Sequence, residues 1–148
     1  MNLLIASDHA GFELKEALKK RAGALGVTFS DLGTHSLDSV DYPDYAHALA
    51  RELLKTGASA SLGILICGSG VGVSIAANRH PGIRAVLAES PEIARLGREH
   101  NHANVLCLGA RFLNPEEAIE VIKAFLNATP ESGERHVRRV QKLGEPLK

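Results

Sequence analysis

Cys67 ends the apolar run Leu62-Gly-Ile-Leu-Ile-Cys67, and Gly68-Ser-Gly-Val-Gly72 follows it at once. The run predicts a strand covered on both faces. The glycines predict a turn whose backbone can take positive φ and approach a ligand closely. Val71–Asn78 then predicts a helix of small residues. Strand, glycine turn and helix start together make an anion site, because free N–H groups and the helix dipole point at it. A thiol at its mouth would be stabilised as the thiolate, which can attack as a nucleophile or remove a proton. The loop lacks the last glycine of a dinucleotide fingerprint, since position 73 is Val. It also lacks the Gly-Lys-Ser/Thr of a phosphate-binding P-loop. An oxyanion cradle fits it better. Cys67 also has a plainer reading as a small core residue, the commoner fate of cysteine. On the residues alone both readings stay open, whereas Cys107 has no such loop and reads as core.

Three other groups could take part. Asp8-His9 directly follows the first apolar run, as either a turn cap or a binding pair. Glu99-His-Asn-His-Ala-Asn104 is a polar cluster in which a histidine could serve as general acid or base, or simply favour a helix end. His100 and His102 stand two apart with no carboxylate set around them, which is poor spacing for a metal. Arg135 and Arg139 are four apart and share a helix face turned away from Val137 and Val140. Two guanidinium forks can clamp a phosphate, although a C-terminal basic run is also a common solvated surface.

These groups need a frame, and the apolar pattern supplies one. Strands are expected at Leu3–Ala6, Val27–Leu32, Leu62–Cys67, Ile83–Ala88 and Val105–Leu108. Helices are expected at Phe12–Leu25, Tyr42–Lys55, Val71–Asn78, Pro91 to about His100, Pro115–Asn127 and Glu134–Leu143. In the first helix Leu14, Ala17, Leu18 and Ala22 make the apolar face, with Lys15, Glu16, Lys19 and Lys20 mostly elsewhere. Gly26 stops that helix; Ser90 and Asn114 cap two others, each followed by proline. The alternation implies an α/β fold: one domain over residues 1–148, a three-layer α/β/α sandwich on a five-stranded parallel sheet, Rossmann-like, with an extra C-terminal helix. In such sheets ligands bind beyond the carboxyl ends of the strands. Asp8-His9, Cys67-Gly68-Ser69, Glu89-Ser90 and Gly109-Ala-Arg111 are expected on that rim.

Composition narrows the partners. The 148 residues carry 17 basic and 17 acidic side chains, a formal net charge of zero. Charge therefore gives no pull toward nucleic acid or membrane. No Trp and four Phe argue against base-stacking platforms. No apolar run approaches the roughly 18–20 residues of a membrane span. Two unpaired-looking cysteines suit a reducing cytoplasm. The first residues reach Ser7, Asp8 and His9 too soon for a signal peptide.

An anion cradle, a thiol, a histidine and an arginine pair point to a small phosphorylated substrate. Nothing marks a metal or nicotinamide site, so no cofactor is expected. Proton removal α to a carbonyl is consistent with these parts, with the Gly68–Gly72 amides as donors to the enediolate.

The chain also resembles the type B ribose-5-phosphate isomerases, within the wider group of ribose and galactose isomerases. The resemblance is carried by Ser7-Asp-His-Ala-Gly-Phe12, Asp41-Tyr-Pro-Asp-Tyr-Ala46, Gly63–Gly72, Ile75-Ala-Ala-Asn78, Gly82-Ile-Arg-Ala85, His100-Asn101 and Arg135-His136. It runs in order through nearly the whole chain. It implies metal-independent interconversion of ribose 5-phosphate and ribulose 5-phosphate through a cis-enediolate. Carried over by position, Cys67 is the base between C2 and C1, and Ser69 with the amides of Gly68, Gly70, Val71 and Gly72 holds the enediolate oxygen. His100 assists ring opening, oriented by a carboxylate such as Asp8 or Asp41. Asn101 contacts sugar hydroxyls. His9, Arg135 and Arg139 form the phosphate clamp, with Arg111 beside it and His136 as a further candidate. His102 receives no role. The family's sites lie between two subunits, which implies a homodimer or a dimer of dimers. Some relatives lack the cysteine and carry a catalytic glutamate where this chain has Val73, so this chain follows the cysteine subtype. Two other functions remain open: isomerisation of a six-carbon sugar phosphate such as allose or galactose 6-phosphate, or sugar-phosphate binding without catalysis.

Overall fold

The computed structural model describes residues 1–57 and 61–146. In chain order it contains β1 (Asn2–Ser7), α1 (Phe12–Lys20), α2 (Ala22–Leu25), β2 (Thr28–Asp31), α3 (Tyr42–Lys55), β3 (Leu62–Cys67), α4 (Val71–Ala77), β4 (Ala85–Leu87), α5 (Pro91–Asn101), β5 (Val105–Gly109), α6 (Pro115–Asn127) and α7 (Glu134–Leu143). The strands form one sheet in the order β2-β1-β3-β5-β4, with every pairing parallel. The expected α/β fold is the one observed. Among the described residues, no helix is long and apolar enough to cross a membrane.

Side-chain alternation along the strands divides the core into two layers. Leu3, Ile5, Ile64, Ile66, Leu106 and Leu108 face one side, where residues of α1, α5 and α6 cover them. Leu4, Ala6, Leu65, Cys67, Val105 and Cys107 face the other, under α3 and α4. This division is what right-handed crossovers require when the chain first winds outward to β2 and then back through β3. The chain overshoots to β4 at the edge before β5 returns between β3 and β4. Burial of this kind makes single core truncations expensive: for fully buried Leu49, replacement by Ala should cost about 2–5 kcal/mol.

Two expectations need correction. The single helix expected over Phe12–Leu25 is two pieces, because Arg21 leaves helical geometry at φ −103°. Lys15, expected on the polar face of that helix, is fully buried. Its Nζ donates to Asp31 Oδ1 at 2.6 Å and to the Thr34 carbonyl at 2.5 Å. An ammonium is tolerated there because both partners sit at hydrogen-bond distance. Asp31 also accepts from Lys19 at 2.7 Å and from the Gly33 N–H at 2.9 Å. Burial pushes its carboxyl up, but these donors outweigh burial and hold it below the usual range.

Candidate active site

Cys67 stands at the last position of β3 and is only 4% exposed. Its Sγ accepts the Gly70 N–H at 3.1 Å. Gly70 has φ +77°, a conformation that side chains resist, and turns the chain into α4. Ser69 Oγ accepts the Val71 N–H at 3.2 Å. Val73 is fully buried in the same core layer as Cys67. Cys107 shares that layer, and burial, with Cys67 nearby, pushes its thiol far above the ordinary range. It stays a neutral core thiol, as its sequence position suggests.

The pairing of β1 with β3 sets Ser7 beside Ile66, and the Asp8 N–H continues it by donating to the Ile66 carbonyl at 3.2 Å. Asp8 therefore follows Cys67 in register and alternation, one strand spacing (~5 Å) away. It is buried, and its Oδ1 accepts the Gly11 N–H at 3.0 Å. His9 Nδ1 accepts the Val40 N–H at 3.2 Å, which leaves the proton of a neutral ring on Nε2. On the other side of the cradle the Arg111 N–H donates to the Gly68 carbonyl at 3.0 Å. Its guanidinium lies over Gly68, where a β-carbon would sit 3.1 Å from Cζ. Asp8, His9, the Gly68–Gly72 loop and Arg111 thus gather around Cys67 on the carboxyl rim.

The other candidates gather elsewhere. Helix α5 begins after β4 and ends at Asn101, before β5 starts. His100 and Asn101 therefore lie at the amino end of the sheet. Cys67 pairs with Gly109 at the far end of β5, so the length of that strand, about 13 Å, separates the two groups within one chain. His136 of α7 stacks on His100 with ring centroids 4.3 Å apart and planes 10° from parallel. Arg135 and Arg139 are exposed on the same helix. Asn101 lines a groove of about 570 Å³ with Arg84–Leu87 of the β4 edge and Val140 of α7.

Within one chain, the carboxylate beside His100 is not Asp8 or Asp41, the two that the resemblance implies. It is Glu131, with Oε1 3.6 Å from His100 Nε2 and Oε2 3.2 Å from His136 Nε2. Asp8 belongs to the opposite rim, and Asp41 is an exposed residue before α3 that makes no side-chain cap bond. Sequence spacing could not show Glu131, because a loop brings it to α5 from thirty residues away. Burial, then the neighbouring His100, holds His136 below the ordinary imidazole range, against the pull of Glu131. His100, Glu131 and His136 each offer a ligand atom within 4.8 Å of the others, as a divalent metal would need. Yet Arg135 Nε lies 3.3 Å from the same His136 nitrogen and places a positive charge there. The donor set fits a cation poorly.

Residues 3–143 match the family model described as Ribose/Galactose Isomerase. The chain belongs to this family. Its relatives include the probable ribose-5-phosphate isomerase B of Mycoplasma pneumoniae, 48% identical, with 95% of this chain and 91% of the relative covered. The Escherichia coli ribose-5-phosphate isomerase B is 45% identical, with 92% and 89% covered. Among solved structures, the Thermotoga maritima ribose 5-phosphate isomerase superposes with a TM-score of 0.90 at 48% identity, covering 98% of both chains. The Mycoplasma genitalium enzyme, solved with bound ribulose-5-phosphate, gives 0.90 at 43% identity, with 97% and 93% covered. Membership in the ribose/galactose isomerase family fits a rim that combines a thiol with an amide cradle.

Proposed function

We propose that this protein interconverts ribose 5-phosphate and ribulose 5-phosphate, with Cys67 as the base. The observation that carries the reading is the Cys67 sulfur, seated at a strand end and hydrogen-bonded to the Gly70 amide at the mouth of a glycine cradle. The thiolate removes the C2 proton of the open-chain aldose, and the electrons form a cis-enediolate. The 2-hydroxyl proton passes to O1, and the thiol returns its proton to C1. Every atom of the sugar is kept, so no redox cofactor is needed. Ser69 and the amides of Gly68 and Gly72 hold the developing oxyanion, where preorganised donors count most, while the Gly70 amide stays on the sulfur and the Val71 amide on Ser69 Oγ.

The phosphate and the ring oxygen need partners that a single chain does not bring to this rim. His100, Asn101, Arg135 and Arg139 therefore serve the cradle of a second copy, and the working unit is a homodimer or a dimer of dimers. Exposed Val71 and Ile75 on α4, at 45% and 61% exposure, offer an apolar surface beside the cradle for that copy. His9 with its Nε2–H, Arg111, and the second copy's Arg135 and Arg139 clamp the phosphate. His100 opens the ring: its imidazole takes the 1-hydroxyl proton and returns it to ring oxygen O4 as the C1–O4 bond breaks. The ribulose-5-phosphate bound to the Mycoplasma genitalium relative supports the five-carbon substrate. The two free thiols fit a cytoplasmic setting.

Cys67→Ala should lower turnover by on the order of 10²–10⁴-fold, as for loss of a general base, with substrate binding kept. A variant with wild-type turnover would sink the base assignment. A panel of ribose 5-phosphate, allose 6-phosphate and galactose 6-phosphate tests the substrate, and preference for either six-carbon sugar would overturn the assignment.

A further inference from the structure

We infer that Glu131 is a positioning residue for His100, held in place by His102. The inference rests on the isomerase reading above and assigns a role to two residues which that reading leaves unused. The backbone of Glu131 is pinned to the end of α5 on both sides. Its N–H donates to the Glu99 carbonyl at 2.9 Å. Its carbonyl receives His102 Nε2 at 2.8 Å. His102 takes φ +52° at the C-cap of α5, a left-handed position usually given to glycine or asparagine. The ring is tied into this turn because the His102 and Ala103 carbonyls accept from Arg84 Nε at 3.0 Å and Arg98 Nη1 at 2.9 Å. An imidazole at that corner gives the donor that a glycine would lack.

So anchored, the Glu131 carboxylate bridges two stacked rings, one oxygen toward each. His100 is restrained from three directions: its helix, the His136 ring and the carboxylate. The contact at 3.6 Å is an electrostatic one in the free protein, and such contacts tighten when substrate binds. A neutral His100 ring directs its Nε2–H at Glu131, because a carboxylate accepts and cannot donate. Nδ1 is then the bare nitrogen, the one that takes the proton from O1 and delivers it to O4. Glu131 thus selects the tautomer and orientation for ring opening and takes no part in the step at C2.

Ring opening and C2–C1 proton transfer can be measured separately. Ribulose 5-phosphate is acyclic, so exchange of its C1 proton with D2O, followed by proton NMR, needs the Cys67 step alone. Net isomerisation of ribose 5-phosphate also needs the ring to open. In the intact oligomer, Glu131→Gln should lower the kcat of isomerisation by on the order of 10–10²-fold, the scale of a misplaced catalytic group. KM and the C1 exchange rate should stay within about twofold of wild type on the same grounds. His102→Asn keeps a residue tolerant of the left-handed turn and removes the latch; it should show the same split, more weakly. It carries the test if Glu131→Gln fails to fold. Wild-type isomerisation in both variants, or equal losses of isomerisation and exchange, would overturn the inference. Failure of the isomerase reading looks different: the wild-type protein would then neither isomerise ribose 5-phosphate nor exchange the C1 proton.

Discussion

Gly70 is where the chemistry of the Cys67 sulfur meets the geometry of the chain. Its amide donates to the sulfur at 3.1 Å, and its φ of +77° turns the chain from there into α4. A β-carbon there would lie 2.9 Å from the Leu108 carbonyl carbon, a backbone atom that cannot step aside. Gly70→Ala should therefore cost about 1–3 kcal/mol of stability through strain alone. It should also lower isomerase turnover, by turning the amide from the sulfur. Urea denaturation beside a turnover assay checks both effects. Full activity at wild-type stability would show that the cradle does not depend on this turn. The glycine spacing made the loop legible in the sequence, because few residue types other than glycine allow such a turn. Glu131 was not legible, since its partners come from two other segments. Cys67, too, is balanced in the sequence between core residue and reactive thiol, and the Gly70 contact is the observation on which its proposed role as base rests.

At the level of elements, what holds the rim is the buried ion cluster that the helical pattern misplaced. Lys15 fell on the expected polar side of α1 by charge, but the residue that decides its position is Asp31, one strand away. Amphipathic periodicity reads a lysine as solvated and cannot foresee a carboxylate and a carbonyl waiting under the helix. The strands, the caps at Ser90 and Asn114, and the helix order followed directly from local pattern. The cluster matters for function because Thr34, which receives Lys15, is paired through its N–H to the Ser7 carbonyl, next to Asp8. Asp31→Ala leaves a buried ammonium without its carboxylate and should cost about 3–5 kcal/mol. Its pH dependence has a definite sign. Asp31 has a lower pKa folded than unfolded, so its contribution is complete above the unfolded value near 3.9 and is lost as pH falls through the folded one. Thermal unfolding between about pH 5 and pH 2 should show a shallower acid loss in the variant than in wild type. Parallel curves would remove Asp31 from the account of acid stability.

At the level of the whole molecule, one chain places the residues of the proposed site in two groups at opposite ends of its sheet. The carboxyl rim has the thiol, the cradle, Asp8, His9 and Arg111; the amino end has His100, Asn101, Arg135 and Arg139. Neither half holds both a base for C2 and a group for the ring oxygen, and the span of β5 is too long for the two to close over one sugar. The proposed homodimer answers this, because in it each copy lends its amino-end group to the other's cradle across a two-fold axis. Mixing tests the arrangement directly. Homodimers of Cys67→Ala and of His100→Asn should each turn over ribose 5-phosphate poorly. After subunit exchange at equal amounts, half the dimers pair one variant with the other. Each hybrid then has one site with both lesions and one with neither. Activity should climb to about a quarter of wild type for two-fold dimers exchanging at random. If both half-sites of a working centre came from the same chain, every site in the mixture would keep a lesion and mixing would restore nothing.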